Sequence, residues 1–320
     1  MKKIKIGILG CADIAERLLI PSILELPELF ELVAVASRDF SKAQRFASKF
    51  NGGYVVGYEN LLENTEIDAV YIPLPNGLHY EWIIKSLLNK KHVLSEKSLS
   101  TNFFLVNKIL DEAQKNNLVV MENFMFRFHN QNKTALSLVR SGEIGDIKSF
   151  HARFTIPPLQ KNNIRYNKKL GGGSFLDTGV YTLMAAQLFL GQSLQHLGSH
   201  LNYSNEYGVD ISGGALLKNN SGAIAHLTFG FESIYHNYYE ILGNNGRIYL
   251  DRAFSKPKEF NSKILLEKNG TVSEIYTGID NHFKGSLEAF HNLILNEPTE
   301  KYETETLSHF KLVDSILCGR

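Results

Sequence analysis

Ile4-Lys5-Ile6-Gly7-Ile8-Leu9-Gly10-Cys11-Ala12-Asp13-Ile14-Ala15 runs from an apolar strand through a glycine turn into the opening of a helix. Read as a dinucleotide fingerprint it is Gly10-x-Ala12-x-x-Ala15. Gly10 permits the tight turn, the small Ala15 lets the helix pack close to the sheet, and the helix N-terminus offers backbone N–H groups to a pyrophosphate. On this reading Gly10, Cys11, Ala12, Asp13 and Ile14 contact the cofactor. Ala12 departs from the usual second glycine, and its methyl holds the backbone slightly further from the phosphates. Taken alone, the stretch is equally an ordinary strand-to-helix turn.

The pattern of the next hundred residues decides between the two. Through residue 122, apolar β-type runs alternate with helical patterns, as in a parallel sheet with helices on both faces. The runs are Ile4 to Leu9, Leu32 to Ala36, Ala69 to Ile72, His92 to Ser95 and Leu118 to Met121, with helices starting near Ile14, Ser41, His79 and Asn102 and a turn at Asn76-Gly77. Beyond Asn123 the pattern changes. One helix, Asn132 to Arg140, precedes strands at Ile147 to Ile156, Ile211 to Leu217, Ala223 to Phe231, Tyr238 to Leu242, Arg247 to Leu250 and Lys263 to Glu267. Strands in succession without helices imply a mostly antiparallel sheet. The expected architecture is an α/β Rossmann domain over 1–122 and an α+β domain over 123–320 with a large open-faced sheet.

Composition narrows the function classes. The chain has 320 residues, 43% of them hydrophobic and 21% charged, which suits two domains with ordinary cores. A net charge of +1 gives no general field for nucleic acid or an anionic membrane, so neither is an expected partner. Cys11 and Cys318 are the only two cysteines and form no metal-ligand spacing; a reduced, cytoplasmic setting fits. Met1-Lys2-Lys3 passes directly into a strand, without the apolar region of a signal peptide, and no apolar run is long enough to span a bilayer. His129, His151, His226 and His282 are scattered, so no metal is assigned.

The carboxyl ends of the strands carry the candidate site, because ligands of open α/β sheets bind there. The second strand ends Ala36-Ser37-Arg38, a hydroxyl and a guanidinium suited to a 2′-phosphate, with Asp39 one position too late for the ribose contact that favours NAD. NADP(H) is therefore the expected cofactor, with a solvated loop charge as the alternative for Arg38. The third and fourth buried strands end in Pro73-Leu74-Pro75-Asn76-Gly77-Leu78-His79 and Ser95-Glu96-Lys97. A lysine so placed can donate to a carbonyl being reduced; a surface lysine is the alternative. His79 reads as the start of a helix.

These residues resemble the Gfo/Idh/MocA oxidoreductase family over nearly the whole chain, and within it the branch that reduces the 3-keto group of nucleoside-diphosphate hexoses in deoxysugar biosynthesis. The motifs are Gly10-Cys11-Ala12-Asp13-Ile14-Ala15, Ala36-Ser37-Arg38-Asp39, Pro73-Leu74-Pro75, Glu96-Lys97, Met121-Glu122-Asn123-Phe124-Met125-Phe126, Ile164-Arg165-Tyr166, Gly171-Gly172-Gly173-Ser174-Phe175-Leu176-Asp177-Thr178-Gly179-Val180-Tyr181 and Phe229-Gly230-Phe231-Glu232. The resemblance implies hydride transfer between NADP(H) and a nucleotide-sugar substrate. Cofactor contacts would then include Pro73, Leu74, Asn76, His79, Glu96, Lys97 and Asn123. It also implies a homodimer or homotetramer built on the open sheet.

Where the family pattern ends its GGG…D-x-G-x-H segment in histidine, this chain has Tyr181, as the 3-ketoreductase branch does. A phenol ordinarily titrates near ~10 and can deliver a proton to the forming alkoxide. Lys97 would favour the developing oxyanion, so Lys97 and Tyr181 are the expected catalytic pair. Asp177, one turn earlier, shares a face with Tyr181 and could orient a hydroxyl of substrate or nicotinamide ribose, with a helix N-terminal carboxylate as the alternative. Arg165 with Tyr166 could reach the diphosphate of a nucleotide-sugar or the cofactor, with an exposed arginine as the alternative. Gly171 to Gly173 are expected to form a loop against the ligand, with a compact turn as the alternative. The family motif reads Glu-Lys-Pro, but here Ser98 replaces the proline, whose preceding peptide is often cis. Without proline that form costs ~3 kcal/mol, so either the strand end shifts in a trans form or the surroundings hold Ser98 cis. Two other activities stay open: a dehydrogenase of free sugars or polyols, and a non-catalytic NADP-binding regulator.

Overall fold

In a computed structural model, residues 2–295 and 298–319 are described. They form two compact units, the first running through Asn123 and including Phe283–Glu303, the second spanning Phe124–His282 and the described residues from Thr304 onward.

The first unit is a six-stranded sheet in the order β3-β2-β1-β4-β5-β6, built from β1 (Ile4–Leu9), β2 (Phe30–Ser37), β3 (Gly53–Val56), β4 (Ala69–Ile72), β5 (His92–Ser95) and β6 (Val120–Glu122). Every pairing is parallel. The central strands are buried on both faces, which is why Ala69-Val70-Tyr71-Ile72 reads as an unbroken apolar run. Between them lie α1 (Ile20–Leu24), preceded by a π-helical stretch Ala15–Leu19, then α2 (Phe40–Phe50), α3 (Tyr58–Leu62), α4 (Asn76–Leu88) and α5 (Phe103–Asn116). Asn102 caps α5 by accepting from the Leu105 amide at 3.0 Å. Strand order reverses between β1 and β4, the switch point beside which such sheets bind dinucleotides.

Two expectations need correction here. Asn76-Gly77 is not a free turn but the first turn of α4, entered from Pro75 in an extended conformation. And the second domain is not the continuous segment 123–320, because Phe283–Glu303 belongs to the first unit. Buried Phe283, Leu287 and Phe290 of α8 (His282–Leu295) recur at helical spacing, and His291 meets the Phe30 ring at 5.7 Å and the Lys2 carbonyl at 3.0 Å. A helix that far along the chain carries no local signal of which core it joins.

The second unit is an eight-stranded sheet in the order β14-β13-β12-β11-β7-β10-β9-β8. Its strands are β7 (Ile147–Thr155), β8 (Gln195–Tyr203), β9 (Asp210–Lys218), β10 (Ile224–Gly230), β11 (His236–Gly243), β12 (Gly246–Asp251), β13 (Ser262–Lys268) and β14 (Thr271–Gly278), flanked by α6 (Asn130–Arg140), α7 (Val180–Leu190) and α9 (Glu300–Cys318). All neighbours run antiparallel except β7 and β10. Along β7, Phe150, Ala152 and Phe154 are buried toward α7, whereas His151 and Arg153 stay accessible on the other face. Periodicity in the sequence does not reveal β3, β8 or β14. All three are edge strands with mostly exposed residues, so they lack the apolar run by which the inner strands announce themselves.

Candidate active site

At the β1 turn, Gly10 adopts φ +119°, and a Cβ there would stand 2.9 Å from Leu74 Cδ2. Cys11 and Ala12 lie half-exposed before the helix, with Asp13 and Ile14 in its first turn. The Asp13 carboxylate is committed to Arg17, accepting from Nε at 2.8 Å. That hydrogen bond holds the Asp13 carboxyl below its ordinary range.

The end of β2 is built from several directions. Ser37 is buried, its Oγ accepting from the Asp39 amide at 3.2 Å while its single O–H stays able to donate. Asp39 accepts from the Lys42 amide at 2.7 Å and so caps α2 rather than pointing at a ribose. Arg38 is exposed. Burial pushes the Cys11 thiol pKa up, against the positive charge of Lys42. A tight turn opened by glycine, free helix N–H groups and a cation at the β2 end together fit a nicotinamide dinucleotide.

The loops after β4 and β5 are tied to each other. His79 is fully buried, with Nδ1 2.7 Å from the Ser98 carbonyl and Nε2 2.7 Å from the Leu74 carbonyl. Burial lowers its pKa to about 4, against the pull of both carbonyls. His79 therefore joins the two loops. Asn76 Oδ1 accepts from the Ser98 amide at 3.3 Å, and the Lys97–Ser98 peptide is cis. Of the two outcomes open for Ser98, the structure adopts the one held by its surroundings.

Glu96 is buried, and its Oε1 accepts from Tyr71 Oη at 2.7 Å and from Asn123 Nδ2 at 2.7 Å. Ser286 Oγ continues the chain, donating to Asn123 Oδ1 at 2.6 Å. Burial raises the Glu96 pKa, with Tyr71, Asn123 and the positive charge of Lys97 opposing. Glu96 and Asn123 thus brace the strand end that carries half-buried Lys97. Tyr71 and Ser286 are members of this chain that the sequence does not flag; a tyrosine inside an apolar strand looks like core.

In the second unit, Phe175–Gly179 forms a π-helical turn leading into α7, and Tyr181 lies at its beginning. Tyr181 is 5% exposed, enclosed by the rings of Phe124, Phe126, Phe154 and Phe254, with its hydroxyl 3.6 Å from Met125 Sδ. Arg165 Nε donates to Asp177 Oδ2 at 2.7 Å. The negative charges of Asp177 and of an ionised Tyr181 both raise the Arg165 pKa, Asp177 more strongly. Asp177 thus holds Arg165 directly, and Tyr181 lies one helical turn beyond Asp177.

Tyr166 behaves differently from its neighbour. It stacks on Tyr207 at 4.4 Å in a small core with Val209 and Phe231, and its hydroxyl engages Glu232 Oε1 at 3.2 Å and the Leu159 amide at 3.4 Å. Its ring anchors the loop beneath Arg165. The glycines are also packed against the protein itself. A Cβ on Gly172 would stand 2.4 Å from the Arg165 carbonyl, and one on Gly173 would stand 2.3 Å from Asp210 Oδ1. They make a compact turn, and Gly173 donates to that same carbonyl at 2.9 Å. Asp210, which the sequence did not flag, accepts from Ser174 Oγ at 2.7 Å and from the Phe175 amide at 2.6 Å, pinning the start of the turn to β9.

Lys97 belongs to the first unit and Tyr181 to the second. Among the described residues no group of three or more histidine, cysteine or acidic side chains is placed to hold a metal, and no helix is long and apolar enough to cross a membrane.

Comparison with known proteins places these features in context. Residues 4–124 match the model of the Gfo/Idh/MocA oxidoreductase family, NAD-binding Rossmann fold, and residues 132–249 match a C-terminal domain of that family. A dTDP-3,4-didehydro-2,6-dideoxy-alpha-D-glucose 3-reductase from Saccharopolyspora spinosa is 44% identical, over 90% of this chain and 87% of its own. One of the same name from Actinomadura kijaniata is 40% identical, over 99% and 95%. A solved 3-ketoreductase of Actinomadura kijaniata, in complex with NADP and TDP-benzene, superposes with a TM-score of 0.95 at 39% identity, covering 99% of this chain and 98% of that one. By sequence over nearly its full length and by fold, the chain belongs to the Gfo/Idh/MocA oxidoreductase family.

Proposed function

We propose that this protein reduces the C3 keto group of a dTDP-linked 3-keto-deoxyhexose with NADPH, giving the C3 alcohol and NADP+. The observation that carries the reading is Tyr181 at the start of α7, one turn beyond Asp177, whose carboxylate holds the Arg165 guanidinium at 2.7 Å. Support comes from the relatives, which bear the name of this activity and match the chain almost end to end. When bound, NADPH supplies the hydride that adds to the carbonyl carbon. Tyr181 gives its hydroxyl proton to the carbonyl oxygen as the C–O π pair moves onto it, and regains a proton from solvent. The Lys97 ammonium stabilises developing negative charge. Ser37 and Arg38 hold the adenosine 2′-phosphate, and the backbone from Gly10 to Ile14 holds the pyrophosphate. Arg165 binds the substrate diphosphate, and Asp177 orients it.

The experiment is NADPH oxidation, followed by absorbance, with dTDP-linked 3-keto-deoxyhexoses beside free sugars. Oxidation confined to the dTDP-linked compounds is expected. Turnover of free sugars instead would select a sugar dehydrogenase, and tight NADPH binding with no turnover would select a regulator.

We infer further that the protein is a homodimer or homotetramer through the accessible face of the eight-stranded sheet. That face presents stacked His151 and His226, with ring centroids 4.4 Å apart, beside a trough of about 420 Å³ bordered by Arg153, His200 and His236. Sedimentation velocity gives the stoichiometry, and a monomer would remove the inference. Two unpaired cysteines, Cys11 and Cys318, suit action in the reducing cytoplasm.

A further inference from the structure

We propose that Tyr58 is the positioning residue that holds Arg38 for the adenosine 2′-phosphate and so sets the preference for NADPH over NADH. The proposal rests on Ser37 and Arg38 being the 2′-phosphate site. Its basis is the way the chain is routed at the sheet edge. Val56 pairs with Ser37 across β3 and β2, and the next amide, Gly57, donates to the Ser37 carbonyl at 2.9 Å. Gly57 has φ +89° and reverses the chain there, so the following residue, Tyr58, is delivered beside the residue that follows Ser37, which is Arg38.

Tyr58 is 8% exposed and cannot wander. Its ring meets Trp82 of α4 edge-on at 4.9 Å, and its hydroxyl lies 3.7 Å from where a Cβ on Gly10 would be. One phenol therefore stands between the pyrophosphate turn and the β2 end. Burial raises the Tyr58 pKa, while the nearby positive charge of Arg38 opposes it. An exposed arginine otherwise samples many rotamers, and binding a phosphate must select one. A buried hydroxyl beside the guanidinium narrows that selection in advance, with N–H groups to spare for the phosphate. NADH has no 2′-phosphate and gains nothing from it.

Trp82 is the only tryptophan, so its fluorescence reports cofactor binding to the intact protein without turnover. Titrations with NADPH and NADH would compare the wild type with Tyr58→Phe, which keeps the ring on Trp82, with Arg38→Ala, and with the double variant. The expected result for Tyr58→Phe is NADPH affinity weakened about five- to tenfold, NADH affinity unchanged, and no further loss when it is added to Arg38→Ala. If Arg38→Ala weakens NADPH but Tyr58→Phe does not, Tyr58 is only core and the proposal is overturned. Equal weakening of both cofactors by Tyr58→Phe overturns it as well, because that marks a general disturbance of the site. If Arg38→Ala itself leaves NADPH binding intact, the 2′-phosphate reading fails first and takes the proposal with it. A thermal melt of each variant, expected to match the wild type within a few degrees, excludes unfolding as the cause.

Discussion

Arg165 Nε donates to Asp177 Oδ2 at 2.7 Å, joining a loop residue to the turn that carries Tyr181. The Asp177 side chain is only 16% exposed, whereas that of Arg165 is 40% exposed. The carboxylate thus orients the more accessible guanidinium, the group proposed to bind the substrate diphosphate. Asp177→Asn should raise the KM for a dTDP-sugar about tenfold with a smaller change in kcat, and leave the NADPH Kd as it was. Steady-state kinetics at saturating cofactor measures the split; a pure kcat effect would place Asp177 in the chemistry instead.

Tyr181→Phe removes one oxygen, which lies 3.6 Å from the thioether sulfur of Met125 inside a shell of aromatic rings. Stability should change by less than about 1 kcal/mol, since a sulfur acceptor contributes little. Turnover should fall on the order of 100-fold or more, as expected for loss of a general acid. A melting curve and a single-turnover assay on the same preparation test both halves.

Gly172→Ala would put a methyl 2.4 Å from the Arg165 carbonyl, backbone against which nothing flexible can yield. The variant should lose about 2 kcal/mol in urea unfolding and bind dTDP-sugar more weakly, because the loop bearing Arg165 must move. Normal stability would show that the turn tolerates a side chain.

Acid should destabilise the fold well before the carboxylates titrate. His309 is fully buried, its Nδ1 donating to Gln187 Oε1 at 2.7 Å, and burial lowers its pKa to about 3; His79 is lowered to about 4 for the same first reason. Both sit below the unfolded value near ~6.5, so the unfolded chain binds more protons between the two. Their stabilisation is present above ~6.5 and is lost as pH falls toward the folded values, about 2 kcal/mol for each by pH 5. Unfolding free energies at pH 7 and pH 5 give the slope. His309→Gln should remove about one proton from it, and an unchanged slope would mean that His309 is charged in the native state.

Much of this was legible in the chain because the signals are local. A buried parallel strand is apolar along its length, a tight turn before a helix favours glycine, and short polar side chains favour helix starts. Ile4 to Leu9, Gly10, Asp39 and Asn102 each carry their own reason. Asp177 and Tyr181 were readable together because one helical turn separates them, whereas the Arg165 partner was not.

Tertiary structure decided everything that depends on residues distant in sequence. Edge strands β3, β8 and β14 have a single neighbour and need no apolar run, so only pairing reveals them. Phe283–Glu303 joins the first unit through contacts with residues more than two hundred positions earlier. Tyr71 becomes a donor to Glu96, His79 a tie between two loops and Tyr166 an anchor for the same cause. A side chain's type and spacing determine what it can bond, but its partner is chosen by the packing that brings remote backbone to it, and no periodicity in the sequence encodes that meeting.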